Sequence, residues 1–285
     1  MAHGIIGIDH PVIAVRDMAA ARVVYERLGF VVPPRGSHIE WGTGNWCIMF
    51  PEDYLELRGI VDAGRYTHGL ENFLAKREGL MGIAFATIGA QQSHDLMVES
   101  GLHPRPVVSL RRNFELPEGW VQPEFALCFP DEAEVTGLMS VVICEHRTPE
   151  LIRRPEFLTH PNGVRRVAAM TGVMAEPATA QAALARFLGP EAAQREGRRL
   201  RLDCGRGQSL LLVPPDELAE LHGDVRLDGE PEPPYLAGIV LEVEDLARTR
   251  AVLEANGVPH AAEAGRLRVP PAVACNVILE FAAPS

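Results

Sequence analysis

The chain has 285 residues, of which 47% are hydrophobic and 23% are charged, values typical of a folded globular protein. Its net charge of −11 argues against a surface that binds nucleic acid. No apolar run approaches the roughly 20 residues needed to span a bilayer, and the N-terminus lacks the pattern of a secretory signal. The composition therefore predicts a cytoplasmic protein that binds neither nucleic acid nor a membrane.

The cysteines point to a reducing environment. They are five in number, widely spaced and without a CxxC pair, and most lie within strand-like runs. We therefore expect reduced core residues rather than a disulfide framework. The cysteines are Cys47, Cys128, Cys144, Cys204 and Cys275.

A segment near the N-terminus recurs near the C-terminus in altered form. Residues 7–15 predict a strand, Asp17 predicts a helix N-cap, and the apolar periodicity that follows predicts a helix ending at Gly29. Residues 236–243 and Asp245 repeat this order at a constant offset of 228. Such a repeat indicates a fold built from copies of one module.

Two further copies lie between these, with predicted helices that end at Gly101 and Gly189. The copy that ends at Gly189 is the weakest, because Pro177 stands where the acidic cap is expected. Short runs bounded by turn residues follow each helix and predict strands, so the chain is expected to hold four βαβββ modules. The remaining predicted strands are residues 38–42, 45–50 and 54–58; 82–87, 106–110, 124–129 and 139–146; 167–174, 199–203 and 209–213; and 266–269 and 274–281.

Proline-rich stretches divide the chain. Residues 151–166 predict a connection between residues 1–150, with modules one and two, and residues 167–285, with modules three and four. Residues 214–234, rich in Pro and Gly, predict an exposed loop. The sequence leaves open whether module one pairs with module two or with module four.

Several motifs carry a resemblance to a known family. They are Gly7-Ile-Asp-His10 on the first strand, Gly42-Thr-Gly-Asn45, Tyr54-Leu-Glu56-Leu on the last strand of module one, and His160-Pro-Asn-Gly163. With the four modules, they resemble the vicinal oxygen chelate superfamily, which includes glyoxalase I, bleomycin-resistance proteins and extradiol dioxygenases. Within it, they are most similar to the glyoxalase-like domain proteins.

The resemblance implies an α+β fold in which modules pair and each pair curls into an open β-cup around a cavity, with the helices outside. It also implies that metal ligands come from the first and last strands of paired modules. In this chain the ligands would be His10, Glu56 and His146, with Glu145 and Glu280 as alternatives for the third. Imidazole and carboxylate ligands suit zinc, nickel, iron(II) or manganese. Glu56 is also the candidate catalytic carboxylate.

Two observations weigh against an ordinary metal site. Gly82 stands at the position of His10 in module two, at an offset of 72, and offers no ligand. Arg58 lies two residues after Glu56, on the same face of the strand, and could pair with its carboxylate instead.

The sequence therefore supports two functions. The first is a divalent-metal-dependent lyase, isomerase or dioxygenase that acts on a small oxygen-rich substrate. The second is a metal-free protein of the bleomycin-resistance type that binds and sequesters a small ligand. Trp41, Trp46 and Phe85 are the candidate substrate contacts, although strand aromatics are more often core residues. A homodimer is compatible with either function.

Overall fold

The computed structural model describes residues 2–135, 140–229 and 231–284. The predicted strand 139–146 begins at Met139, which lies outside these ranges. Within the described residues, no helix combines the length and the apolar character needed to cross a membrane.

The first two modules form one continuous sheet. Module one contains β1 (Ile5–Ala14), α1 (Met18–Arg27), β2 (Gly36–His38), β3 (Thr43–Met49) and β4 (Tyr54–Ile60), and α2 (Leu70–Lys76) follows it. Module two contains β5 (Gly79–Thr87), α3 (Ala90–Glu99), β6 (Val108–Leu116), β7 (Gly119–Val121), β8 (Glu124–Cys128) and β9 (Ser140–His146). The nine strands run in the order β2-β3-β4-β1-β5-β9-β8-β6-β7, and an additional β2–β6 pairing closes the sheet into a cup.

The last two modules form a second sheet. Module three contains β10 (Val164–Val173), α4 (Gln181–Leu188), β11 (Ala193–Glu196), β12 (Arg199–Gly205) and β13 (Gln208–Val213), and α5 (Leu218–His222) follows it. Module four contains β14 (Tyr235–Val243), α6 (Leu246–Ala255), β15 (Ala261–Glu263), β16 (Arg266–Val269) and β17 (Ile278–Ala282). The eight strands run in the order β11-β12-β13-β10-β14-β17-β16-β15.

The repeated helices form for the local reasons that the sequence suggests. The Asp17 carboxylate accepts a hydrogen bond from the backbone of α1, and Asp245 does the same for α6. Gly29 and Gly257, just after these helices, have φ angles of +86° and +62°, which favour glycine. Helix α4 begins without a side-chain cap, as Pro177 led us to expect.

The pairing of β1 with β5 relates the first two modules to each other. The two strands are antiparallel, and Pro11 pairs with Ile83 at the centre of the register. An approximate twofold axis at this pair relates His10 to Gly82, which is the offset of 72 expected from the sequence.

Buried polar contacts join the two sheets. Gln208 on β13 reaches into the first half, where it accepts a hydrogen bond from the Ile8 backbone (2.6 Å) and donates to Asp53 (3.0 Å). Asp53 also accepts a hydrogen bond from the backbone of Val167 at 2.9 Å. Burial raises the pKa of Asp53 to about 7. One hydrophobic core that includes Ile8, Met170 and Phe281 extends through both halves.

Two predictions about individual segments were wrong. Residues 38–42 are not a strand: β2 ends at His38, and the chain then bends toward β3. Residues 214–234 are not simply an exposed loop, because they contain α5 and bury Leu218, His222 and Leu227. The Pro and Gly content of this segment concealed the apolar residues that anchor it in the second sheet.

Candidate ligand-binding site

The first cup encloses a cavity of about 40 Å³, which is room for about three water molecules. Its walls combine aromatic rings with a small number of polar groups, a composition typical of small-molecule sites. The aromatic rings are those of Trp41, Tyr54, Phe125 and Phe129, and the polar groups belong to His10, His38, Asn45, Glu56, Arg58, His68 and Arg112.

A β-bulge positions His10 and Asp9. The register of β1 against β5 shifts between Ile8 and His10, so the regular alternation of side chains is broken there. As a result, Asp9 Oδ2 lies 2.7 Å from His10 Nδ1 and 2.9 Å from His146 Nε2. The His10 ring also stacks on Tyr54, with ring centroids 4.2 Å apart.

Glu56 is buried and already has hydrogen-bond partners on both oxygens. Asn45 Nδ2 donates to Oε1 at 2.7 Å, and Arg58 Nη2 donates to Oε2 at 2.6 Å. His10 Nε2 lies 3.5 Å from the same Oε2. Glu56 therefore forms the ion pair with Arg58 that the sequence suggested as an alternative to metal binding.

The charged groups around Glu56 and His10 shift the pKa values of both side chains. Burial alone would raise the pKa of Glu56, but the Arg58 guanidinium and His10 hold that pKa well below its usual value. Burial would lower the pKa of His10, but hydrogen bonds to Asp9 and Glu56 raise it instead. The pair thus favours a carboxylate beside an imidazolium.

Arg112, on β6, was not identified from the sequence as a site residue. It donates to Asn45 Oδ1 at 2.9 Å and to Cys47 Sγ at 2.7 Å, and its guanidinium lies over the rings of Phe114 and Phe125. The sequence did contain a signal for Arg112, because side chains alternate between the two faces of a strand. If residues 108–116 are taken as one strand, Arg112 lies between two inward-facing apolar residues. The predicted strand stopped at residue 110, so this signal was lost.

Aromatic side chains line the side of the cavity near Trp41. Trp41 stacks on His68, with centroids 5.2 Å apart and planes nearly parallel, and His68 also contacts Phe129. Burial, together with the charge of Arg58, lowers the pKa of His68 to about 4 and that of His38 to about 3. Both imidazoles are therefore neutral near pH 7.

The structure brings together some of the predicted site residues. His10 and Glu56 face each other in the cavity, and Trp41 lines it. His146 contacts Asp9 instead of Glu56, and it lines a separate cleft of about 350 Å³ next to Arg153. Metal binding by His10, Glu56 and His146 stays a prediction.

The other candidates lie elsewhere. Glu145 accepts a hydrogen bond from the backbone of Ala90, at the start of α3. The Trp46 indole donates to the Met18 backbone on the helix side of the sheet, and Phe85 packs against Phe187 in the core. Alternation explains these positions, because neighbouring residues on a strand face opposite sides.

The His160-Pro-Asn-Gly163 motif has a structural role. His160 donates to the Met49 backbone at 2.9 Å and accepts from the Val31 backbone at 3.0 Å. Asn162 donates to the Leu28 backbone at the end of α1. The motif therefore fixes the connection between the two halves against module one, at some distance from the cavity.

The register also identifies the module-two counterpart of Glu56. Val12 on β1 pairs with Glu56 on β4. The twofold axis relates Val12 to Ala84, and Ala84 pairs with Val142 on β9. Val142 therefore occupies the position that Glu56 holds in module one, so neither Gly82 nor Val142 supplies a side-chain ligand.

The donor set in the cavity is thus incomplete for a metal with three protein ligands. His10 and Glu56 are two donors, and the Arg58 guanidinium already binds the Glu56 oxygen that faces His10. A different candidate cluster, Asp9, Cys144 and His146, has ligand atoms within 4.8 Å of one another. Its Asp9 carboxylate is engaged by His10 and His146.

The second cup has its own buried carboxylate. Glu280 on β17 pairs with Val240 on β14, the register position that Glu56 holds against Val12. Arg266, Arg268 and His222 lie 2.7–2.9 Å from the Glu280 oxygens. Despite burial, these partners lower the pKa of Glu280 to about 2.

The fold agrees with the comparisons to known proteins. A family model described as a glyoxalase-like domain matches residues 8–188, more than half of the chain, so the protein belongs to that family. A search of curated proteins found no match.

Solved structures share the fold at low sequence identity. A hypothetical protein from Staphylococcus aureus superposes with a TM-score of 0.69 at 8% identity, covering 97% of this chain and 99% of that one. A 4-hydroxymandelate synthase mutant from Streptomyces coelicolor gives 0.61 at 13% identity, covering 100% and 95%. A fusion of a xylose isomerase-like TIM barrel with 4-hydroxyphenylpyruvate dioxygenase gives 0.58 at 16% identity, covering 99% of this chain and 49% of that one. These likenesses establish that the chain shares the α+β fold of these proteins.

Proposed function

We propose that the protein binds a small molecule inside the first cup and does so without a resident metal ion. The observation that carries the proposal is the bonding of Glu56: Arg58 and Asn45 already occupy both of its oxygens, at 2.6 and 2.7 Å. A divalent cation at Oε2 would have to share that oxygen with a guanidinium, which repels it.

Module two supports the same conclusion. Gly82 and Val142 stand at the positions related by symmetry to His10 and Glu56. A Cβ atom on residue 82 would lie only 2.4 Å from the Ser140 carbonyl oxygen, so this backbone excludes a histidine there. What remains is a cavity with polar groups on one side and aromatic rings on the other, as in a binding protein.

A second candidate function is a metal-dependent lyase, isomerase or dioxygenase. The 3.5 Å separation between His10 Nε2 and Glu56 Oε2 favours it, since two ligands of one tetrahedral ion at about 2.1 Å lie about 3.4 Å apart. A bound zinc, nickel, iron(II) or manganese ion would act as a Lewis acid on substrate oxygens. His10 and Glu56 would hold it, after Arg58 moved away.

Metal analysis of the purified protein separates the two functions. We expect substoichiometric zinc, nickel, iron and manganese by elemental analysis, and no thermal stabilisation when each ion is added under anaerobic conditions. Stoichiometric metal that is lost in both His10→Ala and Glu56→Ala would overturn the proposal and favour the enzyme.

Ligand-binding measurements test the other part of the proposal, that the first cup binds a small molecule. The names of two structural neighbours contain small aromatic acids, so a fragment library of aromatic and aliphatic acids and their amides is a suitable probe set. We expect ligand-detected NMR to find fragments whose signals disappear with Trp41→Ala. Trp120→Ala is the control, because Trp120 is exposed on β7. If no fragment responds to Trp41→Ala, the cavity is not the binding site.

A further inference from the structure

The unusual feature of the first cup is a buried guanidinium without a carboxylate partner. Arg112 is only 3% exposed. Its hydrogen-bond acceptors, Asn45 and Cys47, are neutral, since burial raises the pKa of the Cys47 thiol to about 11. Among the described residues, no carboxylate lies within 4.0 Å of Arg112, and its Nε–H has no acceptor. An unpaired buried charge costs several kcal/mol, so such a group is retained where it has a use.

The charges around the cavity leave an excess of one positive charge. Arg58 and Arg112 contribute two, and Glu56 offsets one of them. Asp9 does not offset the other, because its carboxylate lies 2.7 Å from the His10 imidazolium and balances that charge instead. The Arg58 Nε–H is also buried without an acceptor. One monoanion in the cavity would therefore restore electrical neutrality.

The rest of the wall favours an organic anion over a hydrated inorganic one. Trp41, Phe125 and Phe129 offer apolar surface but few hydrogen-bond donors. His38 and His68 remain neutral near pH 7, with pKa values lowered to about 3 and 4, so they add no charge for a dianion. A compact carboxylate with an apolar body satisfies both sides of the cavity.

We infer that the ligand of the first cup is a small organic monoanion whose carboxylate binds Arg112 and whose apolar part contacts the aromatic wall. This inference rests on the proposed function, since it requires that the cavity binds a small molecule. In the described conformation the cavity accommodates an anion of the size of acetate, whereas a benzene ring requires an aromatic side chain to turn aside.

Calorimetric titration with matched probe pairs tests the charge requirement. The pairs are acetate with acetamide and benzoate with benzamide, and sodium chloride is the inorganic probe. We expect at least one carboxylate to bind at least about tenfold more tightly than its amide. Chloride that binds as tightly as that carboxylate would contradict the organic part of the inference.

Variants of two adjacent arginines test whether Arg112 binds the carboxylate of the ligand. Arg112→Met removes the charge but keeps a long apolar side chain, and Arg111→Met is the matched control, because Arg111 faces outward and pairs with exposed Glu40. We expect Arg112→Met to weaken the carboxylate about tenfold or more and to leave the amide unchanged. Arg111→Met should bind like the wild type. If Arg112→Met does not fold, Arg112→Lys replaces it, with a smaller loss expected because one ammonium cannot form a paired contact.

The outcomes distinguish the inference from the function on which it rests. If amides and carboxylates bind equally, or if Arg112→Met leaves carboxylate affinity unchanged, the anion inference is wrong while small-molecule binding stands. If neither member of any pair binds, and the fragment library also gives no ligand that depends on Trp41, both are wrong.

Discussion

The two cups of this protein use one module and differ in what faces their central carboxylate. In the first cup, Glu56 faces a cavity. In the second, Glu280 occupies the corresponding register position but contacts His222, which the segment after β13 carries into the sheet. The His222 ring also lies 2.9 Å from Thr171 Oγ1 on β10, so it fills the interior.

The two cups differ in whether a segment of the chain fills the interior. Leu218 and Leu227, from the same segment as His222, pack with Val173, Leu211 and Ile278 of the second sheet. The second cup thus supplies its own occupant from the chain, whereas the first leaves charged donors around open space. The second carboxylate therefore lies within a filled interior, whereas the first lies beside open space.

Matched substitutions of the two carboxylates give the largest expected difference. Glu280→Gln removes the only acidic partner that Arg266, Arg268 and His222 share among the described residues. We expect the free energy of unfolding in urea to fall by about 3–5 kcal/mol. Glu56→Gln should cost about 1–3 kcal/mol, since the amide still accepts a hydrogen bond beside a cavity. Equal losses would remove the distinction between the cups.

Acid sensitivity provides a second comparison. The pKa of Glu280 is lowered to about 2 from 4.5, so the unfolded state binds its proton more tightly than the folded state. Its contribution, about 3 kcal/mol, is complete above about pH 4.5 and is lost as the pH falls toward 2. Urea unfolding from pH 5 to pH 2.5 should show a steeper loss in the wild type than in Glu280→Gln. Parallel curves would show that Glu280 does not titrate in this way.

The occupant of the second cup can be removed directly. His222→Ala leaves a cavity and takes away a partner from Glu280 and Thr171, so we expect a loss of about 2–3 kcal/mol. His10→Ala removes one partner of Asp9, which keeps His146 and Arg153, and enlarges a cavity that already exists, so it should cost only about 1–2 kcal/mol. Thermal unfolding of both variants measures the difference, and a larger loss for His10→Ala would contradict the assignment of the filled cup.

The smallest effect on stability is expected from substitutions of the glycines that occupy the position of His10 in the other modules. A Cβ atom on Gly82 would lie 2.4 Å from the Ser140 carbonyl oxygen, whereas one on Gly238 would lie 3.1 Å from that of Ile278. We expect Gly82→Ala to cost about 1–3 kcal/mol and Gly238→Ala less than about 1 kcal/mol. Similar midpoints in chemical unfolding for the two variants would show that β9 adapts to a side chain at residue 82.

Local sequence patterns were sufficient to predict the four modules, but not to predict which side chains line the interiors of the cups. Asp17 and Gly29 delimit a helix through contacts within a few residues, so their repetition at a constant offset predicted the fold. His10 and Glu56 could be paired because the family resemblance places metal ligands on the first and last strands of a module. The strand that carries Arg112 was predicted too short, and this residue was overlooked as a result.

The sequence by itself determined four modules, a glyoxalase-like architecture and the meeting of His10 with Glu56. Only the tertiary structure decided that Val142 occupies the position of Glu56 in module two, that Asp9 joins His10 to His146, and that His222 fills the second cup. The physical reason is the range of the contacts. Caps and turns are local, whereas a bulge, the register between modules and the burial of a distant segment depend on the packing of the whole chain.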